Sequence, residues 1–186
     1  MNHNRIIRLV KIALGAAVLC VLAPLSFPIG PVPISLGSFA VYFVAAVTGR
    51  KQGTLAVLLY LLIGAVGVPV FAGWTAGAAR LAGPTGGFLL GYLPCAYITG
   101  LLSDKSGNKK RMLPAGMIIG TVVLYAAGLV WFMILSDSDF PHAFSACVLY
   151  FLPGDGIKII LAYVVSAPVK ASAYRFLCSQ REDGAD

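Results

Sequence analysis

The fold class predicted for this chain is an all-α integral membrane protein with six transmembrane helices, and three observations predict it. Apolar residues make up 59% of its 186 residues and charged residues only 11%, against roughly 25% charged in an ordinary soluble domain. Apolar runs of span length are separated by loops rich in Pro, Gly or charge. The basic residues gather in alternate loops, as a multi-pass topology requires. At about 20 residues per span the chain holds about six spans, which leaves no room for a separate soluble catalytic domain. It therefore reads as a single domain over residues 1–186.

The first span, near 8–26, follows Arg5, Arg8 and Lys11. A cleaved signal is not expected, because no A-x-A site follows the apolar run and Cys20 is preceded by Leu19 where a lipoprotein site wants a small residue. Ala13 and Ala17 share one side of this span, with Gly15 and Ala16 nearby. Such a small-residue face serves either internal packing or a partner helix. The second span, near 34–49, carries Tyr42 near its middle, and the third lies near 53–72.

Gly67 to Tyr92 reads GVPVFAGWTAGAARLAGPTGGFLLGY, in which Gly, Pro and Ala dominate. Glycines such as Gly73 let the backbone approach a ligand and offer N–H donors, while Phe71 and Trp74 supply flat apolar faces. The stretch reads as a lid over an external cavity or as a re-entrant connector with an interfacial tryptophan. The fourth span, near 82–102, opens with Gly83, Gly87, Gly91, Cys95 and Thr99 spaced four apart, a smooth ridge for a neighbouring helix. The fifth span lies near 113–135 and the sixth near 156–177. Phe88 and Tyr150, like Tyr42, are candidates for a cavity wall or for ordinary packing.

With six spans both termini share one side of the membrane. Arg5, Arg8, Lys11, Arg50, Lys51, Lys105, Lys109, Lys110, Arg111, Lys170, Arg175 and Arg181 fall on that side, and only Arg80 and Lys158 on the other. Short basic loops stay in the cytoplasm, so the termini are expected there, in a multi-pass protein of the cytoplasmic membrane. The net charge of +7 then reports topology, and a nucleic-acid partner is not needed to explain it.

Several chemistries lack their residues. The chain has no G-x-x-x-x-G-K-[ST] loop and no H-E-x-x-H, and its histidines are His3 and His142 alone. Neither is expected at the membrane depth a hydrolase nucleophile would require. Cys20, Cys95, Cys147 and Cys178 are scattered without a C-x-x-C, so neither a metal nor a disulfide framework is indicated. The chain is not expected to be an enzyme or to hold a cofactor.

Asp155 and Lys158, in PGDGIKIILAYVVSAPV, stand one helical turn apart at the start of the last span. Opposite charges on one face of a membrane helix mark a site for a polar substrate. The alternative makes Asp155 a helix cap and Lys158 a snorkelling residue, but a cation in the first turn opposes the helix dipole and breaks the positive-inside pattern.

VPISL at Val32 to Leu36, GVPVFAG at Gly67 to Gly73, GPTGGFLLGY at Gly83 to Tyr92 and GDGIK at Gly154 to Lys158 come in one order over nearly the whole chain. The set resembles the BioY family, the biotin-specific substrate-binding (S) components of energy-coupling-factor (ECF) vitamin transporters. The resemblance implies an S-component bundle that captures biotin from outside, with a separate transmembrane coupling protein and cytoplasmic ATPases supplying energy. It also implies that Ala13 and Ala17, matching an A-x-x-x-A pattern, meet the coupling protein. Biotin carries a ureido ring with two N–H donors and one carbonyl acceptor, and a valerate carboxylate. Asp155 and Lys158 are then expected at the ureido head, with Arg80 or glycine-loop N–H groups at the carboxylate, or Lys158 there in a reversed pose. Trp74 stands where relatives often have a second Gly, and Arg80 is an unusual external cation. Another small vitamin on the same scaffold, or a partner-docking membrane organiser, remains open at this stage.

Overall fold

The computed structural model describes residues 3–27, 34–106, 111–149 and 151–182. Helix α1 (His3–Leu22) begins among the basic residues and runs until Pro24 ends the regular bonding. A two-residue antiparallel pair follows, β1 (Ser26–Phe27) with β2 (Ile34–Ser35), in the register Ser26 opposite Ser35. The Gly73 N–H donates to Pro24 O at 3.0 Å, which ties the glycine-rich loop to this hairpin.

Helix α2 (Gly37–Val66) is 30 residues long and is two helices joined at a kink. Gly49 makes the break with φ 81° and ψ 179°, a conformation that L side chains rarely adopt. A Cβ at Gly49 would also meet the carboxylate of Asp104. The Arg50 N–H donates to Asp104 Oδ2 at 3.1 Å, so a carboxylate from another helix caps the arm that starts there. The kink divides α2 into two adjacent arms, 37–48 and 50–66, near the boundary expected between the second and third spans.

Short α3 (Ala78–Ala82) lies in the loop after α2, and α4 (Gly86–Lys105) and α5 (Met112–Ser136) follow. The glycine ridge of α4 packs on α5. Gly87 lies under Trp131 and Gly91 against Leu124 and Ala127, while Gly120 of α5 receives Thr99 and Cys95. Close backbone approach of this kind is how membrane helices gain van der Waals contact without a hydrophobic drive. The Trp131 Nε1–H donates to Gly83 O at 3.0 Å and closes the end of the pair nearest α3.

Residues after α5 differ from the plain loop expected there. They form α6 (Phe140–Phe144), started by Pro141 in its first turn, and a π-helical segment, Ser145–Leu149. Helix α7 (Leu152–Glu182) then crosses back, mainly against α2. At 1.5 Å per residue, Lys170 sits about 22 Å from Asp155 along it. There Lys170 Nζ donates to Ser103 O at 2.7 Å and to Ser103 Oγ at 2.8 Å, a cation on the C-terminal carbonyls of α4. Arg50, Asp104 and Lys170 thus mark one end of the bundle, and Arg80, Asp155 and Lys158 the other.

Gly86–Lys105, Met112–Ser136 and Phe140–Lys170 are each long and apolar enough to cross a bilayer. With α1 and the two arms of α2 they make a six-helix bundle whose centre is built from Leu19, Val41, Tyr42, Val57, Tyr60, Met117 and Leu124. The outward faces are apolar too. Leu14 and Val21 on α1, Val122 and Ile134 on α5, and Ile160 and Val164 on α7 are all exposed, the arrangement expected where lipid replaces water.

Candidate functional site

A cavity opens at the Arg80 end, walled by the starts of α2, α4 and α7, by α5, and by the loop after α2. Asp155 enters it from the first turn of α7, whose backbone is already helical because the Asp155 N–H donates to Phe151 O at 2.8 Å. A carboxylate is favoured at this end of the helix dipole. Lys158, one turn on, places Nζ 2.8 Å from Asp155 Oδ1. Asp155 is 4% exposed and Lys158 8%.

Two residues from distant elements complete the cluster. The Ser38 Oγ–H in the first turn of α2 donates to Asp155 Oδ1 at 3.0 Å, and Lys158 Nζ donates to Ser38 Oγ at 3.2 Å. The Tyr125 hydroxyl in the middle of α5 donates to Asp155 Oδ2 at 2.8 Å. The carboxylate is therefore bonded at both oxygens, which is what keeping a charge out of water demands. A buried ion pair is weak evidence for stability, since apolar residues of similar volume do as well. The cluster is held together by four side-chain hydrogen bonds. Its geometry rules against Asp155 as a mere helix cap, because the side chain faces Ser38, Tyr125 and Lys158.

Apolar surface surrounds the cluster. Phe88 stacks on Phe151 with ring centroids 6.2 Å apart, and Leu89, Tyr92 and Leu124 add to the wall. Phe71 turns the tip of its ring against Gly64, where any Cβ would collide, and meets Tyr60 edge-on at 5.6 Å. Arg80, exposed on α3, reaches the wall at the mouth. The site joins an acid, a base and hydroxyls at its head to aromatic sides and a cation at the rim. Such a site suits a small molecule with a polar head, an apolar middle and an anionic end.

Asp155, Lys158, Arg80, Phe71 and Phe88 are thus brought together in one wall. Three other candidates are not. Tyr42 is fully buried in the bundle centre, where its hydroxyl lies 2.6 Å from Thr121 Oγ1. Since Thr121 itself donates to Met117 O, Tyr42 is the donor and its polar end is spent on α5. Trp74 is 63% exposed with φ 58° and stands outside the wall. Gly73 gives its N–H to Pro24 and has no donor left for a ligand. Tyr150 lies outside the described residues. Ala13 and Ala17 sit on the exposed face of α1, whereas Gly15 and Ala16 turn inward, Gly15 against Val44 and Ala56.

Ser38 and Tyr125 carry a signal that sequence reading missed. Each is a polar group inside an apolar span, which is costly unless it has a partner. Their partner is 117 residues away for Ser38 and 30 for Tyr125. Cys20, Cys95 and Cys147 are free thiols.

The chain resembles proteins of known role over nearly its whole length. The chain is 39% identical over 163 residues to the biotin transporter BioY of Thermotoga maritima, covering 88% of this chain and 95% of that protein. It is 39% identical over 170 residues to the biotin transporter BioY2 of Lactococcus lactis, covering 89% and 90%. The fold superimposes on the crystal structure of the S-component for biotin from an ECF-type ABC transporter with a TM-score of 0.83, at 27% identity and over 94% of this chain and 95% of that one. The BioY family profile matches residues 1–175. A six-helix bundle with an acid, a base and an aromatic wall at one end, related over nearly its full length to these proteins, belongs to the BioY family.

Proposed function

We propose that this chain captures biotin at the external face of the cytoplasmic membrane and serves as the substrate-binding subunit of an ECF-type transporter. The carrying observation is the Asp155–Lys158 pair, buried at the head of a cavity that also holds Arg80 and an aromatic wall. Asp155 and Lys158 hold the ureido head with charge-assisted bonds, stronger than neutral ones in a low-dielectric site. Phe71, Phe88, Leu89 and Phe151 cover the sulfur ring and the chain. Arg80 meets the carboxylate at the mouth, and the loop from Gly67 to Gly77 opens and closes above it.

The chain acts as one six-span unit with both termini in the cytoplasm. Arg50, Lys105 and Lys170 at one end of the bundle support that orientation. The exposed small-residue face at Ala13 and Ala17 docks a transmembrane coupling protein, and separate cytoplasmic ATPases hydrolyse ATP. No cofactor takes part, and biotin is the substrate.

The test is calorimetric binding of biotin to the detergent-purified chain, with thiamin and riboflavin as controls and Asp155→Asn and Lys158→Ala alongside. Biotin-selective binding that both variants lose is expected. A folded wild-type chain that does not bind biotin would overturn the reading.

A further inference from the structure

The facing sides of α5 and α7 do not close on each other. Helix α5 turns Ile118, Val122 and Tyr125 to the gap, and α7 turns Leu152, Asp155 and Ile159, each set at the three- and four-residue steps of one helix face. Between the two faces lies a crevice of about 230 Å³. Helix α7 packs mainly on α2 instead, and a Cβ at Gly156, on the crevice wall, would meet nothing within 4 Å. Tyr125 and Asp155 also line the cavity at the Arg80 end. Their 2.8 Å hydrogen bond is therefore the partition between cavity and crevice.

Depth and shape restrict what fills the gap. At 1.5 Å per residue, Ile118 and Tyr125 lie about 9 and 20 Å along α5 from its start, inside the roughly 30 Å of a hydrocarbon core. The lips, Val122 and Leu152, are exposed and apolar, continuous with the outward face of the bundle. At the back, Thr121 Oγ1 is engaged by Tyr42 and by Met117 O, and both Asp155 oxygens are already bonded. Such walls offer a water molecule too few partners to hold it. A helix of a second copy is about 10–12 Å across with its side chains and needs small residues for close approach, which Val122 and Leu152 do not supply. A single hydrocarbon chain is thin enough and apolar throughout.

We propose that the crevice is a binding site for one acyl chain of a bilayer lipid, which lies between α5 and α7 against the Tyr125 ring. The chain replaces the side-chain packing that the two helices lack there. It also keeps water from the back of Asp155, where a low dielectric strengthens the bonds that hold the carboxylate.

The test is photolabelling of the full chain in phosphatidylcholine vesicles that carry the same lipid with a diazirine midway along one acyl chain, mapped by mass spectrometry. Tyr125, only 8% exposed, should be labelled together with the lipid-facing Ile134, 76% exposed, whereas Tyr42 in the bundle centre should not. Gly156→Leu fills the crevice from α7 and should lose the label at Tyr125 while keeping it at Ile134. Val122→Phe narrows the crevice from α5 and should do the same, so the result does not hang on one variant folding. Label at Ile134 without label at Tyr125 in the wild type would overturn the proposal. So would label at Tyr125 that persists in both folded variants. A Tyr125 label that disappears as the ratio of protein to lipid is raised would give the crevice to a second copy instead, and would also overturn it.

Discussion

Tyr125 and Asp155 stand 30 residues apart in the chain and are joined by a hydrogen bond of 2.8 Å, the tyrosine hydroxyl donating to Asp155 Oδ2. This bond links α5 to the head of α7 at the wall of the cavity. Tyr125→Phe keeps the ring and removes only the donor, leaving a buried carboxylate oxygen one partner short. Because a hydrogen bond to a charged group contributes about 1.5–3 kcal/mol, biotin affinity should fall by about 10-fold or more. Calorimetry on the variant checks this, and an unchanged affinity would mean that the orientation of Asp155 does not depend on α5.

The ion pair separates stability from function. Lys158→Ala leaves the Asp155 carboxylate buried without its cation, so the thermal midpoint should fall by several degrees, since breaking a buried pair costs about 3–5 kcal/mol. Replacing both residues by apolar ones, Asp155→Leu with Lys158→Met, should recover most of that loss. The double variant should still not bind biotin. Thermal unfolding in detergent with and without biotin tells the two effects apart, and biotin binding by the double variant would contradict the assigned site.

Arg80 is exposed on α3, and its guanidinium forms no hydrogen bond or ion pair among the described residues. Its removal should leave stability within about 0.5 kcal/mol, as for other surface changes. Arg80→Ala should weaken biotin by about 10-fold or more while hardly changing the affinity for the neutral biotin amide. Equal losses for acid and amide would move the carboxylate away from Arg80. If Lys158→Ala rather than Arg80→Ala abolished the discrimination, the ligand would lie in the reverse direction.

Gly49 holds φ at 81° and leaves room for Asp104. Gly49→Ala adds both a strained backbone and a steric conflict, and should destabilise the chain by more than about 1 kcal/mol. Asp104→Ala loses the cap on the Arg50 N–H and should cost about 1 kcal/mol, whereas Asp104→Asn keeps an acceptor there. Thermal midpoints in detergent rank the three variants. Biotin affinity measured well below the transition should stay near that of the wild type, because the kink lies at the opposite end of the bundle from the site.

Ala13 and Ala17 face outward on α1, so a larger apolar side chain there leaves the packing among the described residues undisturbed. Ala13→Leu with Ala17→Leu should bind biotin as the wild type does when purified alone. Biotin uptake by cells that depend on the chain should be lost, because the close approach of a partner helix is blocked. Uptake at the wild-type rate would place the coupling surface elsewhere.

The sequence by itself determined the membrane class, the Asp155–Lys158 pairing and the glycine ridge of α4. Each rests on composition or on helical periodicity, which covalent geometry sets within one or two turns. It also marked Arg80, Phe71 and Phe88, because a glycine-rich segment beside a polar pair limits where a cavity can form. Only the tertiary structure decided that Ser38 and Tyr125 bond to Asp155, that Tyr42 spends its hydroxyl on Thr121, and that Gly73 bonds to Pro24. Those choices depend on which helices pack together and at what register. A single tyrosine in an apolar span looks the same from the sequence whether it faces lipid, a neighbour or a ligand. Burial selects the side, and the nearest unfilled donor or acceptor on the packed neighbour selects the partner. The break at Gly49 is legible as the end of the second span, before Arg50 and Lys51, but its geometry is decided by packing. A lone glycine is permissive anywhere, and the Asp104 carboxylate waiting across the helix pair makes this one a corner.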